Sequence, residues 1–122
     1  MNINQVVKAT ARTLVSYLTY EAMRVVVDQL TETNPPLSLW LRGFSPTGKL
    51  QDGEQYIQEL LLADQELAFR IMTVREHLAE QIADLLPEIT LTEVKASNIK
   101  LRSQHLERLV NGVNHDLVND PE

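Results

Sequence analysis

The chain has 122 residues, 43% of them hydrophobic and 23% charged, with a formal net charge of −6, which is one domain's worth of sequence able to bury about two-thirds of its unfolded surface. The acidic balance excludes a nucleic-acid partner, whose phosphates need a basic face, and the absence of cysteine excludes disulfides, thiolate catalysis and cysteine zinc sites. No apolar run approaches the ~20 residues of a bilayer crossing, and the start MNINQVVKATARTL lacks the apolar centre of a secretory signal, so no membrane partner and a cytoplasmic protein are expected.

Only four glycines, with Leu, Gln, Glu and Ala abundant, predict an all-α protein. From Ile3 to about Gln29, the positions Ile3, Val7, Ala11, Leu14, Leu18, Ala22 and Val25 recur at steps of four and three, the mark of one helical face. Lys8, Arg12, Ser16 and Thr19 fall opposite that stripe, and Thr13, Tyr17, Tyr20, Arg24 and Val27 occupy a third sector between them. Asn34-Pro35-Pro36 must end the helix by Thr33, since proline lacks an N–H and forces the residue before it out of the α region.

Asn34 then caps a short helix with Pro35 in its first position, expected to bury Leu37, Trp40 and Leu41 and to end at Gly43. Asp52, with Gln55 three residues on, reads as a capping box opening DGEQYIQELLLA, with Tyr56, Leu60 and Leu61 inward. Asp64 caps the longest helix, whose apolar positions Leu67, Ile71, Val74, Leu78, Ile82 and Leu85 keep helical register. Helical composition resumes after Pro87 through Val94, Leu101, Leu106 and Leu109, so a bent continuing helix is expected, with a break near Thr90 as the alternative. NGVNHDLVNDPE, turn-rich and polar, reads as a loosely ordered tail. A helix this long outreaches a compact body at ~1.5 Å per residue, so its distal apolar residues call for a second copy and a homodimer.

Chemistry finds little footing. Gly43 to Lys49 matches G-x-x-x-x-G-K, but Leu50 stands where a phosphate loop needs Ser or Thr and no strand precedes it. His77, His105 and His115 lack metal-ligand spacing, and Glu76, Glu80 and Asp84 read as a hydrated acidic face. No catalytic residue, metal or cofactor is assigned, and the chain is not expected to be an enzyme. The tyrosine sector leaves two readings open. Both phenols can pack at the core margin with their hydroxyls in water, or they can line a groove for a partner's aromatic side chains. Arg70, at the edge of its helix's stripe, can pack its stem and extend its guanidinium.

The stretches SYLTYEAMR, TNPPLSLWL, QDGEQYIQELL, RIMTVREHLAEQIADLLPE and QHLERL, in this order and spacing, resemble the RbcX family of RuBisCO assembly chaperones, with 1–110 as an RbcX-like helical chaperone domain and 111–122 as a polar C-terminal tail. The resemblance implies a four-helix domain with a long, bent C-terminal helix, forming an arc-shaped antiparallel homodimer. It also implies a central groove of that dimer, lined by Thr13, Tyr17, Tyr20, Leu50 and Gln51, that binds the C-terminal peptide of the RuBisCO large subunit. Gln29, Glu32, Arg70 and Arg102 would then be polar corner contacts to that subunit's folded body, promoting assembly of the octameric large-subunit core. Such a role fits the cytoplasm, carboxysome association being compatible with it. The residues themselves keep a second reading open, a structural helical dimer serving as a scaffold or adaptor.

Overall fold

The structure, a computed structural model, describes residues 2–46 and 51–118, with backbone alone for 114–118. Among these residues every regular element is an α-helix: α1 (Ile3–Thr33), α2 (Pro35–Phe44), α3 (Gly53–Ala63), α4 (Gln65–Ala83) and α5 (Leu86–Val118). Two compact units divide the chain between Ile82 and Ala83.

Short-range hydrogen bonds set the boundaries of the first unit. Asn34 serves two helices: its N–H donates to Leu30 O at 2.7 Å, closing α1, and its Oδ1 accepts from Leu37 N at 3.4 Å, opening α2 on Pro35. Asp52 Oδ1 accepts from Gln55 N and Asp64 Oδ1 from Leu67 N, both at 3.1 Å. Each such cap contributes about 1 kcal/mol. All three were expected from the sequence, because a cap depends only on residues two or three apart. α2 runs one residue beyond Gly43, where it was expected to end. Phe44 stacks on Trp40, ring centroids 5.2 Å apart, and faces Tyr56 at 6.0 Å. Ser45 closes the helix with both its N–H (3.0 Å) and its hydroxyl (2.7 Å) on Leu41 O.

The core differs from the expected stripe in α1. Ala22, Met23, Val26, Val27 and Leu30 are buried against Leu41, Tyr56, Ile57, Leu60, Leu67, Ala68 and Ile71, and Leu18 is buried too, whereas Ile3 is 61% exposed, and Val7 and Ala11 are also open. The reason is length. α1 is about 46 Å long at 1.5 Å per residue and α2 and α3 about 15 Å each, and these short helices lie against the C-terminal half of α1. Thr19, placed opposite the core by the sequence pattern, is fully buried, and Val27 is buried rather than marginal. Within α2, Leu41 is buried as expected but Leu37 is half-buried and Trp40 exposed. Ser38 takes the inward place instead, donating to Val27 O at 3.0 Å and pairing with Thr31 Oγ1 at 2.9 Å. Along α4, burial fades from Leu67 and Ile71 to half-buried Val74, Leu78 and Ile82, and Leu85, just beyond the helix, is exposed.

The long rod predicted across Pro87 is interrupted at Asp84–Leu85. A proline ring collides with the carbonyl four residues earlier, which here belongs to Ala83, the last residue of α4. Pro87 then sits in the first turn of α5, where its missing N–H costs nothing, and Ile89 N makes an early bond to Leu85 O at 3.0 Å. Thr90, the alternative break, is inside α5. Helical backbone continues to Val118, past the point where a loose tail was expected, since extending an existing helix fixes only one residue per added hydrogen bond.

Candidate functional site

Thr13, Tyr17 and Tyr20 recur at steps of four and three, with Ser16 three residues after Thr13 and four before Tyr20, so α1 presents them on one side. The approach to α3, Gln51 and Asp52, lies across from them, followed by Glu54. Together these residues line an open cleft of about 1140 Å³. Thr13, Tyr17, Tyr20 and Gln51, four of the five groove residues expected from the sequence, therefore come together; Leu50 lies outside the described residues. Tyr17 is 50% exposed, so its ring is open to solvent. Tyr20 is half-buried, packed on the core at one edge with the Arg24 guanidinium 5.9 Å from its ring centroid. That cation–π contact contributes about 0.5–1 kcal/mol where exposed, and Arg24 also lies 3.7 Å from Glu21. Tyr20 lines a second, smaller pocket of about 330 Å³ as well, with Met23, Arg24, Asp28 and Arg42, and so forms the wall between the two.

Among the expected corner residues, the Arg70 Nη2 donates to Gln29 Oε1 at 2.6 Å across 41 positions of sequence, joining α4 to the end of α1. Glu32 is exposed one turn further on, and Arg102 is exposed on α5, in the second unit. The phosphate-loop match does not form an amide nest at its first glycine, because Gly43 is helical; Thr47 to Leu50 lie outside the described residues. Among the described residues no group of three His, Cys, Asp or Glu could hold a metal ion, and no helix is long and apolar enough to cross a membrane. His77 stands exposed with Nδ1 4.0 Å from Glu80 Oε2.

Sequence reasoning missed a polar node beneath the cleft. Gly53 N donates to Ser16 Oγ at 3.0 Å, Thr19 Oγ1 donates to Val15 O at 2.7 Å, and Arg75 Nη1 donates both to Thr19 Oγ1 at 3.1 Å and to Glu54 Oε1 at 2.9 Å. A glycine opening a helix beside a good N-cap was the available signal, since glycine there often marks close backbone approach. Nothing in the pattern pointed to Arg75.

Fold and cleft together define an all-helical protein with an aromatic-edged binding surface. The chain belongs to the RbcX family: the family described as RbcX protein matches residues 1–111. It is 60% identical over 109 residues to the RuBisCO chaperone RbcX of Anabaena sp. strain CA, covering 89% of this chain and 80% of that protein. It is 55% identical over 109 residues to the RuBisCO chaperone RbcX of Nostoc sp. strain PCC 7120, covering 89% and 82%. A crystal structure of RbcX in complex with substrate matches with a TM-score of 0.81 at 45% identity, covering 90% of this chain and 99% of that one.

Proposed function

We propose that this chain is a RuBisCO assembly chaperone whose cleft holds the C-terminal peptide of the RuBisCO large subunit and so promotes assembly of the octameric large-subunit core. The observation that carries the reading is the convergence of Thr13, Tyr17, Tyr20 and Gln51 on one cleft with the Tyr17 ring left open. A phenol offers a rigid apolar face and a hydrogen-bonding tip, and an aromatic pair adds about 0.5–1.5 kcal/mol beyond area burial. Gln29, Glu32, Arg70 and Arg102 serve as the polar contacts to the folded body of the subunit. Two modest contacts, a tail in the cleft and a polar rim, reinforce one another through effective concentration. They also release together once either is lost, as an assembly factor requires.

The working unit is a homodimer that hydrolyses nothing, and residues 111–122 have no assigned part in it. Support for the dimer comes from α5, in which Leu86, Ile89, Val94, Leu101, Leu106 and Leu109 are all exposed in the single chain, more apolar surface than a lone helix leaves in water. The test is a calorimetric titration with a peptide copying the large subunit's C-terminus. Tyr17→Ala and Tyr20→Ala should abolish the heat of binding while circular dichroism keeps its helical signal. Unchanged affinity in both variants would sink the proposal.

A further inference from the structure

Glu54 lines the cleft, but Arg75, which holds it, does not. Arg75 projects from α4 into a separate pocket of about 350 Å³ together with Val15, Leu18 and Met72, and its side chain is only 19% exposed. Both N–H bonds of its Nη1 are spent, one on Thr19 Oγ1 of α1 and one on Glu54 Oε1 of α3. A single nitrogen thus ties three helices at the point where α3 starts. The Thr19 leg is the stronger anchor, because Thr19 is fully buried and a charge-assisted bond to a buried acceptor is little screened by solvent. The Glu54 leg ends on a carboxylate that is 61% exposed, and by itself would contribute little. α3 has no slack at this end: Gly53 is pressed onto α1, where a Cβ would fall 3.0 Å from the Ser16 Cα. Gln51 and Asp52 immediately precede it.

We propose that Arg75 is a positioning residue for peptide binding, a latch that fixes the first turn of α3 on α1 and thereby sets Gln51 at the right distance from Thr13 and Tyr17. This rests on the cleft being the peptide site. Arg75 also holds its positive charge 2.9 Å from Glu54, so that this carboxylate of the cleft wall is compensated where a peptide ending in a carboxylate approaches it.

The experiment is titration of the full chain with the peptide copying the large subunit's C-terminus, comparing wild type, Arg75→Gln, Gln51→Ala and the double variant, with Tyr17→Ala as reference. Arg75→Gln should weaken binding by about 10-fold, the scale of one charge-assisted hydrogen bond, with an unchanged helical signal. In the Gln51→Ala background the same change should cost less than about 2-fold, since contacting residues and their positioners are non-additive. A general loss of stability would instead cost the same in both backgrounds, and that result, or wild-type affinity for Arg75→Gln, overturns the proposal. Thr19→Val, which removes the buried leg without altering charge, should reproduce the loss and serves if Arg75→Gln does not fold; wild-type binding by that variant is equally fatal. Full affinity in Tyr17→Ala would remove the cleft as the binding site and this inference with it, whereas loss in Tyr17→Ala beside no loss in Arg75→Gln removes the latch alone.

Discussion

The backbone of Gly53 lies so close to the side chain of Thr19 that a Cβ built on it would stand 2.9 Å from Thr19 Oγ1 and 3.1 Å from Thr19 Cβ. At an uncrowded helix start, Gly→Ala stabilises by about 0.4–1 kcal/mol through the unfolded chain. Here the added methyl meets the α1 backbone as well, which cannot swing aside, and overpacking of this kind costs about 1–3 kcal/mol. Gly53→Ala should therefore lower the urea midpoint and, by moving α3 outward, weaken peptide binding. A raised midpoint would show that α3 can shift without cost.

Tyr56 and Ser45 provide a test by pH. The phenol is buried beside Ser45, and desolvation raises its pKa above the ordinary 10.0, with the Ser45 hydrogen bond opposing in part. Below the unfolded pKa both states hold the proton and no stability is lost. Between that value and the raised folded value the unfolded chain sheds the proton first, so stability falls as the pH climbs past about 10. Tyr56→Phe should flatten that alkaline slope. It should cost only about 0.5–1.5 kcal/mol at neutral pH, since Ser45 keeps its bond to Leu41 O. Denaturant curves at two pH values decide it.

The Arg70–Gln29 bond is open to solvent, so Arg70→Ala should change stability by less than about 1 kcal/mol. If Arg70 contacts the folded body of the large subunit as proposed, affinity for an isolated C-terminal peptide should match wild type, while reconstitution of the octameric core should be impaired. Equal loss in both assays would mean that Arg70 acts on the cleft.

Paired substitutions Leu101→Glu and Leu106→Glu address the exposed apolar residues of α5. Each leucine buried in a partner is worth about 1.5–3 kcal/mol, and a two-fold interface counts each change twice. Sedimentation should then show only the 13.9 kDa species at micromolar concentration, with the helical signal of the first unit kept. A dimer surviving both changes would place the interface elsewhere.

What the sequence by itself determined is whatever depends on near neighbours. Asn34, Asp52 and Asp64 cap their helices as expected because the bonds span three residues, and Tyr56, Leu60, Leu67 and Ile71 face inward as helical spacing requires, although further along α4 the same stripe is only half-buried at Val74, Leu78 and Ile82. The tyrosine sector was legible for the same reason, since Thr13, Tyr17 and Tyr20 share a side of α1 by helical spacing. Only the tertiary structure decided which half of α1 is core, because burial depends on how far α2 and α3 reach along it; Ile3 and Val7 fit the same stripe as Ala22 and yet are open. Only it placed Thr19 inside, Gly53 against Ser16, and the Arg75 guanidinium between Thr19 and Glu54. Those contacts join residues 21 to 56 positions apart, and no periodicity within one helix carries the register of another.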